Sequence, residues 1–105
     1  KSFGSKDHSL AINSLDASDR DNVVELKTWP IKGLFMPDAI AAYEVDNKTY
    51  LVTANEGDAR EYDIYVENIR LGNSGYVLDE TVFPNFADLK NNANLGRLNV
   101  TKASG

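Results

Sequence analysis

Cysteine is absent from all 105 residues, which excludes disulfides, thiolate zinc sites and a cysteine nucleophile. It leaves the compartment open, because secreted and cytosolic proteins alike dispense with cysteine. Histidine occurs once, as His8 beside Asp7; a lone imidazole serves as a base or ligand only with partners in space, and the surface or structural alternative stands beside that reading. Basic residues are scarce as well: 11 Lys and Arg face 16 acids, for a net charge of −5. Without a Lys/Arg cluster the chain lacks the footprint that nucleic acid or an anionic membrane needs, whereas its acids attract cations. No apolar run reaches the length of a membrane span. Lys1 is neither an initiator methionine nor the start of a signal peptide, so the chain reads as cut from something longer. P-loop, dinucleotide fingerprint, HExxH and GxSxG motifs are missing, and no internal repeat aligns. A hydrophobic content of 42% with five tyrosines nevertheless excludes a disordered tail.

The strongest local pattern is Ile40–Glu61, IAAYEVDNKTYLVTANEGDARE. Asp46 and Asn47 tolerate left-handed backbone and separate two runs of β-formers, which predicts a hairpin. With a loop of two or four residues, Ala39, Ala41, Tyr43 and Val45 share a face with Tyr50, Val52 and Ala54. Ile40, Ala42 and Leu51 lie on the other face with Glu44 and Thr53. Both faces are mostly apolar near the strand ends, which suits a pair covered on both sides, and a lone hairpin is not stable.

Acids gather in two places. At the end of the second run, Asn55, Glu56 and Asp58 follow one another closely, and the hairpin brings Asp38 near Asn55. Oxygen donors at one strand end suit calcium, and a polar turn bonding its own backbone is the other reading. Asp16, Asp19 and Asp21 fall within six residues; carboxylates that close repel unless a cation, a basic side chain or backbone amides offset them. Arg20 offsets one. The spacing is not that of an EF-hand loop, and no glycine supplies its turn. Calcium and an acidic turn with Asp19 or Asp21 bonded to nearby amides both remain open there. No catalytic residue is assigned.

Elsewhere, Lys1–Ser14 reads as a loop or a loosely held first strand around Ser9–Ile12, and Val23–Trp29 as a second strand, ended by Pro30. Pro30–Pro37 is an apolar connector that needs cover, its Met36 serving as packing filler. From Asp58 to Leu71 the apolar positions Tyr62, Tyr65, Val66 and Ile69 follow a helical period, which predicts a short helix or turn before a strand near Glu67–Leu71. Gly72–Gly75 is a turn, Tyr76–Leu78 a short extended piece, and the stretch after Pro84 a one- to two-turn helix with Phe86 and Leu89 inward. Leu95–Thr101 is the last strand, Leu98 and Val100 on one face.

The runs TYLVTANEGDAREY, LDASDRD, WPIKGLFMPDAIAAYEV and NLGRLNVT, spread over nearly the whole chain, resemble the bacterial secreted proteins of the choice-of-anchor I family, often labelled alkaline phosphatase or mesenchyme-specific cell surface glycoprotein. The resemblance implies a longer, extracellular, β-propeller-like protein held at the cell surface by varied C-terminal anchors. The expected fold is therefore mainly β: antiparallel sheets, a piece of a β-propeller-like domain with one or two short helices, its length matching about two blades.

Two functions of different class follow. One is a non-catalytic binding or structural module of a secreted or surface-anchored protein, with calcium in its acidic loops. The other is part of a metal-dependent phosphoesterase, of alkaline phosphatase or phytase type, in which cations neutralise phosphate. Such chemistry wants cationic side chains beside the metal, and only Arg60 and Arg20 accompany the two acid groups, which favours the module. Expected partners are the remaining blades of the parent and a second copy of this chain, through Tyr43, Tyr50, Leu51 and Val52; the alternative is that the helix at Phe86 and Leu89 closes a core of its own.

Overall fold

The computed structural model describes residues 3–103; Lys1, Ser2, Ser104 and Gly105, and with them the reading of the first residue, lie outside it. In chain order the described elements are β1 (Ser5–Asp7), a 3-10 turn (Ala11–Asn13), β2 (Lys32–Leu34), β3 (Pro37–Val45), β4 (Lys48–Asn55), β5 (Glu61–Tyr62), β6 (Tyr65–Val66), β7 (Asn68–Arg70), the helix α1 (Phe86–Leu89) and β8 (Asn99–Thr101). The strands form four separate antiparallel ladders, β1–β2, β3–β4, β5–β6 and β7–β8. The chain is thus mainly β, with small antiparallel sheets and a short helix. Among the described residues no helix is long and apolar enough to cross a membrane.

The β3–β4 hairpin forms as its sequence dictates. Asp46 and Asn47 have φ of 51° and 58°, the left-handed pair of a two-residue type I′ loop whose twist matches the strands. Val45 pairs with Lys48, Tyr43 with Tyr50, Ala41 with Val52 and Ala39 with Ala54, so the predicted face is assembled. The Tyr43 and Tyr50 rings stack with centroids 5.3 Å apart. The expected cover is not there among the described residues: Ile40 is 62% and Leu51 66% exposed.

Several readings of local pattern differ from the structure, and Lys32–Leu34, read as part of an apolar connector, is the strand β2 paired with β1. At Ser9–Ile12 the loop reading holds and the strand reading does not: β1 lies before it and Ala11–Asn13 makes a 3-10 turn, closed by the Ser14 amide donating to the Ala11 carbonyl. Val23–Trp29 alternates, but among the described residues it finds no ladder partner beyond a single bridge from Lys27 to Leu15. β-propensity expresses packing against neighbours, and Val24, 91% exposed, has none. The helical spacing of Tyr62, Tyr65 and Val66 belongs instead to a tight hairpin, in which Tyr62 pairs with Tyr65 and Glu61 with Val66; residues flanking a two-residue turn are three apart, like one helical turn. The strand that follows is present as β7. Leu95–Arg97 lies in turns, so the last strand shortens to β8.

The core joins the C-terminal end to residues of the 15–31 stretch. Ala17, Leu71, Leu89 and Leu95 are buried, with Leu15, Trp29, Ile31, Tyr76, Leu78, Phe83, Leu98 and Val100 packed on them. Leu89 enters from α1 as its spacing predicts, while Phe83 rather than Phe86 joins it. Backbones cross closely here: a Cβ on Gly96 would run into the Lys90 carbonyl oxygen and come within 2.8 Å of Asn91, and one on Gly72 would meet the Gly96 and Lys90 carbonyls at 2.9 Å. The Gly72 amide donates to the Gly96 carbonyl at 3.0 Å and the Leu95 amide to that of Leu89 at 3.1 Å. Lys90 Nζ closes the loop on the carbonyls of Asn73 and Tyr76, at 3.0 and 2.6 Å.

Outside this knot the chain spreads. The radius of gyration is 16.5 Å, against about 13 Å for a compact domain of this length. The accessible surface is 8104 Å², against roughly 5,800 Å² for a closed globule of this mass. With so few buried side chains each one matters: Leu95→Ala is expected to lower unfolding stability by about 2–5 kcal/mol, and Gly96→Ala at least as much, because backbone rather than a movable side chain meets the added methyl. Urea unfolding followed by tryptophan fluorescence checks both; wild-type midpoints would contradict a single core at this crossing.

Candidate functional site

The acids at the base of the β3–β4 hairpin are positioned by an irregularity in its ladder. Pro37 pairs with Asn55 and Ala39 with Ala54, so the register slips at Asp38. Such a bulge bends the strand and re-aims the extra residue. The Glu56 amide continues the pairing to the Met36 carbonyl at 3.2 Å. Gly57, at φ 79°, then turns the chain through a conformation that suits glycine, and Asp58 accepts from the Ala59 amide at 2.9 Å. Met36, Pro37, Asp38, Glu56 and Asp58 line one hollow of about 330 Å³. Asp38, Glu56 and Asp58 therefore share a surface, while Asn55 stays in the ladder and outside the lining. Among the described residues no three His, Asp or Glu side chains converge as an ion would require.

The acids of the earlier turn are tied individually. Asp16 accepts from the Ser18 amide at 3.4 Å and Asp21 from the Val23 amide at 3.3 Å. Asp19 takes a forked pair from Arg97, 2.9 Å from Nε and 3.3 Å from Nη2, with Arg20 further off at 3.8 Å. The Arg97 hydrogen bond holds the Asp19 carboxyl below its ordinary range, and Asp19 in turn raises Arg97. Ser18 Oγ donates to the Asn92 carbonyl at 2.8 Å, so this turn is stitched to the C-terminal segment twice. Local sequence pointed to Arg20 as the counter-charge; Arg97, 78 residues away, has no local signal.

His8 is engaged in structure. Its Nδ1 donates to the Asn13 carbonyl at 2.6 Å, its amide to Ile31 and its carbonyl accepts from Trp29. Arg60 pairs with Glu67 at 2.7 Å; that contact raises Arg60 and lowers Glu67. Sequence reasoning missed a mostly apolar groove of about 930 Å³ whose lining includes His8, Ile31, Leu78, Phe83, Leu98 and Val100. It is built from segments far apart in the chain, so no single motif announces it.

A family model, the choice-of-anchor I domain, matches residues 1–105. The chain belongs to that family. A search of curated proteins and a search of solved structures each returned no match. In this choice-of-anchor I chain the runs that carry the resemblance coincide with the hairpin, the Asp16–Asp21 turn and the Leu95–Thr101 crossing.

The Asp19–Arg97 pair carries a pH signature. A carboxyl depressed in the folded state adds stability that is present above its unfolded value and lost as pH falls through the folded one. Wild-type stability is expected to decline below about pH 4, and Asp19→Asn to remove part of that decline while leaving the share of Asp7, Asp79 and Glu67, which are also lowered. Urea unfolding from pH 2 to 6 reads it; identical slopes in both proteins would contradict the pairing.

Proposed function

We propose that the chain is a non-catalytic, surface-associated module of a secreted or cell-surface protein, a part of a propeller-like fold of about two blades. Membership of the choice-of-anchor I family over the full chain supports it. The observation that carries it is the use made of the reactive groups: His8, Asp19 and Arg97, Arg60 and Glu67 are each taken up by ties that hold segments together. Four separate two-stranded ladders suit a propeller-like whole, since such ladders need further strands or packing to be stable.

In this reading calcium is held at the hollow of Asp38, Glu56 and Asp58, beside Asn55, where hard oxygen donors and a net charge of −5 favour a cation. The ion has to draw the three carboxylates together from their present positions, which makes weak binding the expectation. The turn of Asp16, Asp19 and Asp21 has its oxygens engaged and is the poorer host. The phosphoesterase alternative would need a cation cluster with a free basic group beside it, and Arg60 is committed to Glu67.

Calorimetry with calcium chloride is expected to give a weak binding heat, abolished in Glu56→Ala and Asp58→Ala. No heat, or heat unchanged in both variants, removes calcium from the proposal. With p-nitrophenyl phosphate and calcium, hydrolysis is expected at the buffer rate; turnover above it that Asp58→Ala abolishes would replace the module with the phosphoesterase.

A further inference from the structure

Among the described residues β4 pairs with β3 alone, so its second edge is open. The loop fixes which groups face that edge. In a hairpin with a two-residue loop the flanking pair, Val45 and Lys48, is hydrogen-bonded, and bonded pairs recur at every second residue. The Glu56 amide, which donates across to Met36, keeps the same parity. Even-numbered β4 residues therefore bond inward, and Thr49, Leu51 and Thr53 present their amides and carbonyls outward. Natural sheets blunt such an edge with charge, proline or a bulge, yet the interior of β4, Thr49–Ala54, carries no charge or proline. The bulge lies on β3.

We infer that β4 is a self-pairing edge whose occupant is β4 of a second copy, antiparallel about Val52. In that register Leu51 faces Thr53 and Thr49 faces Asn55 as the bonded pairs. Lys48 then faces Glu56 of the second copy, twice by symmetry, in a position where side chains approach closely. Tyr50 lies opposite Ala54, large against small. Pairing about Leu51 instead sets Glu56 against Asp46, and pairing about Thr53 reaches Asp58, which Gly57 has already turned out of the strand.

The β3 edge offers no equivalent. Its charges are Asp38 and Glu44, with Asp46 next in the chain and no base. Self-pairing about Ala41 opposes Asp38 to Glu44, and about Ala42 opposes Asp38 to Asp46, a like-charge cost in either case. Joining two β4 edges makes a four-stranded sheet in the order β3, β4, β4, β3, which passes the strand number that a sheet needs for stability. Surface is not limiting: the chain exposes roughly 2,300 Å² more than a closed globule of its mass, and a standard interface takes about 800 Å² from each partner. This inference stands apart from the proposed function and survives its failure.

Light scattering coupled to size exclusion, over a micromolar concentration series of the 105-residue chain, tests it. The expected mass at the upper end is twice 11.6 kDa. Leu51→Pro removes an outward amide and no hairpin bond, so it should give a monomer with the far-UV circular dichroism retained. Lys48→Glu and Glu56→Lys should each weaken the dimer about tenfold or more by opposing like charges, and the double exchange should restore it, a rescue that loss of folding would not produce. A wild-type monomer throughout overturns the inference. So does a dimer indifferent to both charge reversals, or single variants that the double exchange fails to rescue.

Discussion

Everything ordered at the C-terminal end depends on two backbones passing where neither has a side chain. Gly72 and Gly96 meet across the Lys90–Asn91 carbonyls at distances a Cβ cannot occupy, and the crossing brings Leu71, Leu89 and Leu95 into one buried cluster. It also aligns β7 with β8, because the Leu71 and Gly72 amides donate to Leu98 and Gly96 just beyond the ladder. The N-terminal half is attached to this knot by Ala17, buried in the cluster with Leu15, Trp29 and Ile31 against it, and by two polar ties, the Arg97 fork on Asp19 and the Ser18 bond to Asn92. A small hydrophobic centre and a girdle of exposed, salt-sensitive ties make a structure whose order is local.

The charge pattern gains a physical meaning from that arrangement. Acids exceed bases, but the acids that matter to the fold are those with partners, and these are spread along the chain. Asp7 and Asp79 cap short turns through Ser9 and Thr81, while Asp19 and Glu67 join distant segments. The surplus sits around the hairpin: Asp38, Glu44, Asp46, Glu56 and Asp58. Negative charge thus concentrates on the part of the molecule with least packing, where mutual repulsion costs little and an external cation or a basic group has most to offset.

What the sequence disclosed and what it withheld separate along a physical line. The β3–β4 hairpin, its loop, its register and the nearness of Asp38 to the acids after β4 were legible, because alternation and two left-handed loop residues are encoded within a few positions. The inward Leu89, the turn at Gly72–Gly75 and the shared face of Leu98 and Val100 were legible for the same reason. Val23–Trp29 was misread because alternation states only that a strand would have two faces, and among the described residues one bridge, Lys27 to Leu15, is all that pairs with it. At Tyr62 and Tyr65 the turn stands and the helix does not, because one helical turn and a tight hairpin put the same spacing between contacting residues. Arg97 on Asp19, the glycine crossing and the apolar groove rest on separations of tens of residues, for which one sequence carries no local mark.

The contrast between knot and hairpin bears on how such a module works. A ladder with both faces open has few apolar contacts to hold it, so its free energy of opening lies near the low end of the molecule's range, while the crossing lies near the top. Whatever pairs with the hairpin also orders it, and part of the interaction is spent on that ordering. The type I′ loop and the Tyr43–Tyr50 stack reduce this cost by holding the strands in register before any partner arrives, as a preorganised binding element does. The Glu56 amide on Met36 and the Gly57 turn anchor the same hairpin at its base. An element that is preorganised, charged at its base and uncovered on its faces is suited to association. With His8, Asp19, Arg97, Arg60 and Glu67 committed to internal ties, association is the work this geometry best supports.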